Sequence, residues 1–264
     1  AMKIEHVDIL HINLAKTDIF WWVFWARFFK IKTVLHCRSD PDSWIPGKGL
    51  QSYADAIISV SDFIKRKVIA KNSQSCVNTV YNPVELPLLG GGEDKKIGAL
   101  KLLGFPETTI LISSIGLLSP HKGHDMAICV FRNIVNEYPN SKLYIAGGGS
   151  LAELERLKLL AKDLVVSGRI VFTEQQIDNV EAVYRASTLV LSLTTRGEAF
   201  GRVPFEGISF GTPVIAPNIG GAAELIDDQV TGFLVDTLCE EEVTQKVRVI
   251  LNNRELALQI VENG

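Results

Sequence analysis

The sequence predicts an α/β protein built on parallel sheets, and three observations carry that prediction. From Thr109 onward, apolar runs of roughly four to eight residues alternate with amphipathic helical stretches, the pattern of strands covered by helices on both faces. Each glycine-rich turn in that half (Gly116, Gly147-Gly148-Gly149, and Gly197 to Gly201) follows one of those runs. In open parallel sheets, ligands bind outside the carboxyl ends of the strands. At 264 residues, with 47% hydrophobic and 22% charged residues, the chain is long enough to core two lobes. Gly90-Gly91-Gly92, inside the stretch 87–96, marks the linker between them. The predicted division is therefore residues 1–86, a linker at 87–96, and residues 97–264.

Taken in order, residues 7–12 read as a short buried strand and 18–30 as a helix bearing Trp21, Trp22, Phe24, Trp25, Phe28 and Phe29. Its apolar part is about half the roughly twenty residues that a membrane-spanning helix needs. With Arg27, Lys30 and Lys32 adjoining, two readings stay open: a helix buried against a sheet or a neighbouring subunit, and an interfacial helix in peripheral contact with a membrane. Residues 33–37 form the next strand, which includes His36 and leads into the polar loop 38–44. Asp40-Pro41-Asp42 in that loop has the D-x-D spacing of a divalent-cation site, but proline in a loop makes a turn the simpler account. No metal is expected there.

Residues 56–60 read as a strand, Ser61 as the N-cap of a helix over 62–70, and 77–81 as a strand ending in Asn82-Pro83-Val84. Past the linker, strands are predicted at 109–116, 141–146, 169–172 and 188–193, with helices at 122–138, 151–165 and 180–186. A net charge of -3 argues against nucleic acid as a partner. Cys37, Cys76, Cys129 and Cys239 lie far apart with no C-x2-C pair, which predicts free buried thiols in a reducing, cytoplasmic compartment. The first residues show no signal-peptide pattern.

The densest chemistry lies in residues 196–221, R-G-E-A-F-G-R-V-P-F-E-G-I-S-F-G-T-P-V-I-A-P-N-I-G-G. Glu198 and Glu206 flank Gly201, which ends a loop and opens a short helix. Pro204 is tolerated in a first helical turn, Gly211-Thr212-Pro213 closes the helix, and residues 214–216 form the next buried strand. Such a helix start is a natural seat for phosphate. A carboxylate beside a phosphate would repel it, so Glu198 and Glu206 read as acceptors for hydroxyl groups, one on a ribose diol and one on a sugar. The plainer alternative is a surface helix with two solvated glutamates. Gly147-Gly148-Gly149 before Ser150 likewise reads either as a phosphate cradle or as a tight strand-to-helix turn.

The E-x7-E spacing, with A-F-G after the first glutamate, G-T-P-V-I-A after the second, then Gly220-Gly221 and Glu224-Leu225-Ile226, resembles the retaining glycosyltransferases of the GT-B fold, the group 1 or GT4-like family. Residues 56–84 are similar, in order and spacing, to the second half of a GT-B N-terminal domain. The resemblance implies two Rossmann-like lobes with parallel sheets, the N-terminal, acceptor-side lobe being incomplete. It also implies the roles that follow. Ser119-Pro120-His121-Lys122-Gly123 resembles the family's diphosphate loop, with Lys122 as the matching lysine and Leu117 where an arginine is usual, so that Arg196 or Arg202 would replace that charge. Gly116 and the main chain at Gly148 would lie near the donor, and Glu174 and Gln175 near the nucleobase. Glu206 would bind ribose and Glu198 a sugar hydroxyl, with Ala199, Phe200 and Gly201 lending main-chain contacts and His36 the best match for a histidine near the donor sugar. The implied activity is transfer of a sugar from a nucleotide sugar to a glycan or lipid-linked acceptor in polysaccharide assembly, with no cofactor and no metal. The alternative is a nucleotide-sugar-binding module or inactive subunit that self-associates or needs a partner chain.

Overall fold

Short apolar runs spaced by amphipathic helices leave parallel pairing as the economical way to bury both faces of a sheet, and the chain does this twice. The computed structural model describes residues 7–13, 19–41, 54–71, 76–83, 93–173, 179–236 and 238–264. By contacts it divides into one unit of residues 1–84 with 198–200, and a second of 85–197 with 201–264.

The first unit runs β1 (Ile9–Ile12), α1 (Ile19–Phe28), β2 (Lys32–Cys37), β3 (Ala56–Ser59), α2 (Asp62–Lys71) and β4 (Val77–Thr79). Among the described residues the strands form a parallel sheet in the order β1-β2-β3-β4. In β2 the residues Thr33, Leu35 and Cys37 alternate inward, as the period of two requires. The Asp55 carboxylate accepts the Thr33 N–H at 2.8 Å and tethers the start of β2 to the approach of β3. Ser61 caps α2 as expected, its Oγ accepting the Ile64 N–H at 3.2 Å, and Ile64 and Val68 form the buried face. Within the chain one face of the aromatic helix is covered and the other is open. Val23 and Ala26 dock it, while Trp21, Trp22, Phe24, Trp25, Phe28 and Phe29 are exposed, and all of these but Trp22 pack edge-on or stacked against one another.

The second unit runs α3 (Glu93–Leu102), β5 (Ile110–Ile115), a 3-10 turn at Pro120–Lys122, α4 (His124–Ile134), β6 (Ser141–Ala146), α5 (Leu151–Leu160), α6 (Lys162–Val166), β7 (Ile170–Phe172), α7 (Val180–Ala186), β8 (Leu189–Leu191), α8 (Arg202–Ser209), β9 (Val214–Pro217), α9 (Ala222–Leu225), β10 (Phe233–Val235), α10 (Glu240–Asn252) and α11 (Arg254–Asn263). Its parallel sheet has the order β10-β9-β8-β5-β6-β7. The chain therefore winds outward from β5 to β7, returns to lay β8 on the other side of β5, and winds outward again to β10. One face is sealed by α4, α5 and α10 through Ile128, Phe131, Leu157 and Val247. The other is sealed by α3 and α7 through Leu100, Val183 and Ala186.

Several boundaries differ from the sequence reading. The helix expected from Lys122 starts at His124, because Gly123 adopts φ 71° and separates the 3-10 turn from α4. It ends at Ile134 rather than 138, since the residue before Pro139 is disfavoured in helix. The helix expected over 151–165 breaks at Ala161 (φ -102°, ψ 17°) into α5 and α6. Part of the stretch read as linker is helical, because α3 begins at Glu93. Only Cys37 of the four cysteines is buried, its thiol pushed up to about 12 by desolvation. Cys76 and Cys239 are exposed, and the Cys239 Sγ caps α10 by accepting the Glu242 N–H. Among the described residues no helix is long and apolar enough to cross a membrane.

Candidate active site

Where strand order reverses, the loops leaving neighbouring strands diverge to opposite faces and open a crevice at the carboxyl ends. In the second unit that point lies between β5 and β8, which pair through Ile112–Leu189 and Ser113–Val190. The loop after β5 runs from Gly116 to Lys122, and the loop after β8 from Ser192 to Gly201.

The two loops are joined. The His121 carbonyl accepts the Thr195 N–H at 2.9 Å and the Thr194 hydroxyl at 3.1 Å. Lys122 follows directly, its own N–H bonded to the Ser119 carbonyl at 3.0 Å. Its side chain runs back over Gly116, where a Cβ would lie 3.7 Å from Lys122 Cδ. The loop is also held from below by a residue the sequence reading passed over. His124 is 2% exposed; its Nδ1 accepts the Ser114 hydroxyl at 2.8 Å and its Nε2–H donates to the Leu117 carbonyl at 3.2 Å. In the neutral ring this pairing sets the Nε2–H tautomer, and burial lowers the pKa and so favours that neutral form. Leu117 itself, standing where an arginine was expected, turns its side chain to solvent.

The β6 end meets the β5 end backbone to backbone. Gly148 offers its carbonyl to the Leu118 N–H at 2.9 Å, and Gly147 donates its N–H to Thr173 Oγ1 at 2.9 Å. A Cβ on Gly147 would fall 1.9 Å from the Gly116 carbonyl oxygen, so only glycine fits this approach.

Gly201 precedes α8 without a side-chain cap, which leaves first-turn N–H groups of that helix to be satisfied by solvent or ligand. One turn on, Glu206 is held from two sides. Its Oε2 accepts the Tyr184 hydroxyl at 2.8 Å, and its Oε1 accepts Arg202 Nε at 2.6 Å. Glu206 is 13% exposed and Arg202 82%. The carboxylate raises the Arg202 pKa, so the arginine proposed from sequence to replace the missing phosphate cation is engaged with Glu206. Arg196 is exposed on the β8 loop.

The remaining predicted residues belong to the first unit. Glu198, Ala199 and Phe200 group there; the Ala199 carbonyl accepts the Ser61 hydroxyl, and the Phe200 ring lies 6.4 Å from that of Tyr81. His36, in β2, stacks on His11 with ring centroids 5.6 Å apart, and its buried Nε2 has no hydrogen-bond partner among the described residues. Burial first, then the charges of His11 and Arg38, lower its pKa and favour the neutral ring. The Asp40 carboxylate pairs with Lys67. Asp42, Glu174 and Gln175 lie outside the described residues. The second unit thus brings Gly116, Lys122, Gly148, Gly201, Arg202 and Glu206 to the carboxyl end of one sheet. Tyr184 and His124, which hold Glu206 and the Lys122 loop, were missed because their partners are remote in sequence or main-chain atoms.

Two parallel Rossmann-like sheets of this kind define the GT-B class of α/β protein, and solved structures agree. The chain superimposes on Anabaena Alr3699/HepE, crystallised with UDP and glucose, with a TM-score of 0.84 at 20% identity, covering 97% of this chain and 71% of that one. The sucrose-phosphate synthase of Thermosynechococcus elongatus gives 0.79 at 20% identity, covering 97% and 67%. Residues 100–264 match the family described as glycosyl transferases group 1, and the chain belongs to that family. Among curated relatives, the D-inositol 3-phosphate glycosyltransferase of Acidothermus cellulolyticus is 32% identical over 61% of this chain and 37% of its own length. The putative glycosyltransferase YtcC of Bacillus subtilis is 28% identical over 89% of this chain and 61% of its own. The chain thus spans between about a third and three-fifths of these two relatives.

Proposed function

We propose that the protein is a retaining glycosyltransferase that moves a sugar from a nucleotide-diphosphate sugar to a glycan or lipid-linked acceptor without a metal ion. The observation that carries this reading is the pairing, at one strand-order reversal, of a clamped cationic loop with a helix start whose carboxylate is held in place. When the bond between the sugar carbon and the diphosphate breaks, negative charge grows on the leaving oxygens and positive charge on the sugar ring. Lys122 and the free N–H groups at the start of α8 face that leaving group and stabilise it electrostatically. Glu206, fixed by Tyr184, accepts hydrogen bonds from the ribose hydroxyls, and Glu198 from a sugar hydroxyl. Ala199, Phe200 and Gly201, through their main chain, and His36 are the residues that the family resemblance assigns to the sugar. The acceptor oxygen then bonds to the sugar carbon as its hydroxyl proton passes to the departing diphosphate oxygen, its approach set by positioning.

Because Alr3699/HepE binds UDP and UDP-glucose, uridine sugars are the first donors to try. Calorimetric titration with UDP, GDP and ADP sugars, followed by a coupled assay of nucleotide release over a panel of glycan and lipid-linked acceptors, tests the proposal. Saturable binding with acceptor-dependent release is expected. A folded protein that binds none of the three would end the reading, and binding without transfer to any acceptor would reduce the function to donor binding.

A further inference from the structure

The second unit holds a cavity of about 220 Å³ at the amino ends of β8 and β9, opposite the strand ends that carry Lys122 and Glu206. Helix α3, the ends of α7 and α8, and α11 border it, and it opens to solvent. Among the described residues, Lys95, Lys96, Arg185 and Arg254 line it against one carboxylate, Glu93, in a chain whose net charge is -3. Phe210, Leu258 and Val261 supply an apolar wall.

These cations are under-used. Lys96 is half-buried, and among the described residues the hydrogen-bond partner of its ammonium is the Thr188 hydroxyl at 3.0 Å, with no carboxylate in ion-pair range. Two of its three donors therefore lack an acceptor. Burial, only partly offset by Glu93, pulls its pKa below the usual lysine range, so an anion that restored its charge would gain binding free energy. Arg185 is 12% exposed; its Nε bonds Glu181 at 2.6 Å and its guanidinium lies 5.3 Å from the centre of the Phe210 ring. That clamp holds the planar fork still and leaves the Nη donors without a protein acceptor among the described residues. Arg254 is 83% exposed and reaches Glu93 only at 3.7 Å.

We propose that this cavity binds a small phosphomonoester with a compact apolar body, the phosphate seated between Lys96 and Arg185 and the body against Phe210, Leu258 and Val261. A fixed guanidinium fork beside an ammonium matches a tetrahedral oxyanion. The volume is below the roughly 300–1,000 Å³ of pockets for drug-sized ligands, which suits a small ester better than a whole nucleotide sugar. The phosphate can belong to a soluble ester or to a lipid head group.

Calorimetry with inorganic phosphate and with phenyl phosphate tests this on the full chain. Phenyl phosphate should bind about tenfold more tightly than inorganic phosphate, as burial of its ring predicts. Lys96→Met should weaken it by about tenfold or more, and the exposed Arg254→Gln by a smaller factor. Lys122→Met should leave it unchanged, which separates this cavity from the candidate donor site. Sedimentation with phosphatidic acid vesicles, reversed by phenyl phosphate, would assign a lipid head group; phenyl phosphate binding without sedimentation would assign a soluble ester. Affinity unchanged in folded Lys96→Met and Arg254→Gln, or lost in Lys122→Met, overturns the proposal.

Discussion

A carboxylate held by two donors from two helices is a prepared acceptor, and Glu206 is in that position. Ligand hydroxyls meeting it find the side chain already ordered, so little rotamer entropy remains to be lost. Glu206→Ala should weaken nucleotide binding by about 1 to 3 kcal/mol, and Tyr184→Phe by about 1 kcal/mol; an unchanged dissociation constant in a folded Glu206→Ala protein would remove that residue from the site. His124 sets a second expectation at this scale. Its folded pKa lies below the ordinary value, chiefly through burial, while an unfolded histidine titrates near about 6.5. As pH falls below that point the unfolded chain takes up a proton that the folded chain refuses, so stability is full above it and is lost as pH drops through the folded pKa. Lys122 opposes protonation of the ring, and Asp125 and Glu153 favour it only in part. Thermal melts between pH 7.5 and 5.5 should show a smaller acid loss in His124→Gln, whose amide keeps a donor for Leu117, than in the parent. Equal losses would show that His124 does not set the acid response.

At the scale of elements, the crevice exists because three strand ends approach more closely than side chains permit. The Gly147 contact with the Gly116 carbonyl is the tightest of these, and an added methyl must push β5 and β6 apart at the site. Gly147→Ala should therefore cost roughly 3 kcal/mol or more of stability, read as a fall in denaturation midpoint; an unaltered midpoint would show the loops to be pliable. The same scale explains what the sequence made legible. Strands β5, β6 and β7 were readable to within a residue or so as apolar runs ending in glycine or polar turns, because their burial on both faces is written into composition. Helix α3 was not, since Gly98 interrupts its apolar residues and a glycine run precedes it. The break at Ala161 follows from packing and has no local mark. For α1 the aromatic content was plain, yet whether those rings are covered depends on neighbours that no local pattern encodes. The site divides in the same way. Glu198 and Glu206 share one motif with Gly201, whereas Tyr184 acts from 22 residues upstream and His124 works through a main-chain carbonyl.

At the scale of the whole molecule, the donor proposal makes a joint prediction about stability and metal. A ligand that binds only the folded chain stabilises it by RT ln(1 + [L]/Kd), about 2.7 kcal/mol at a hundredfold excess over Kd, so the right nucleotide sugar should raise the melting temperature by several degrees. In that proposal Lys122 and the uncapped start of α8 supply the positive charge that faces the diphosphate, and Asp40 of the D-x-D stretch is engaged with Lys67. The stabilisation should therefore be the same in EDTA as in manganese, and Lys122→Ala should reduce it in both by a similar amount. If chelation abolished the shift and manganese restored it, a cation would have to be doing the work assigned to Lys122 and α8. Asp40 and Asp42 would then be the first carboxylates to substitute.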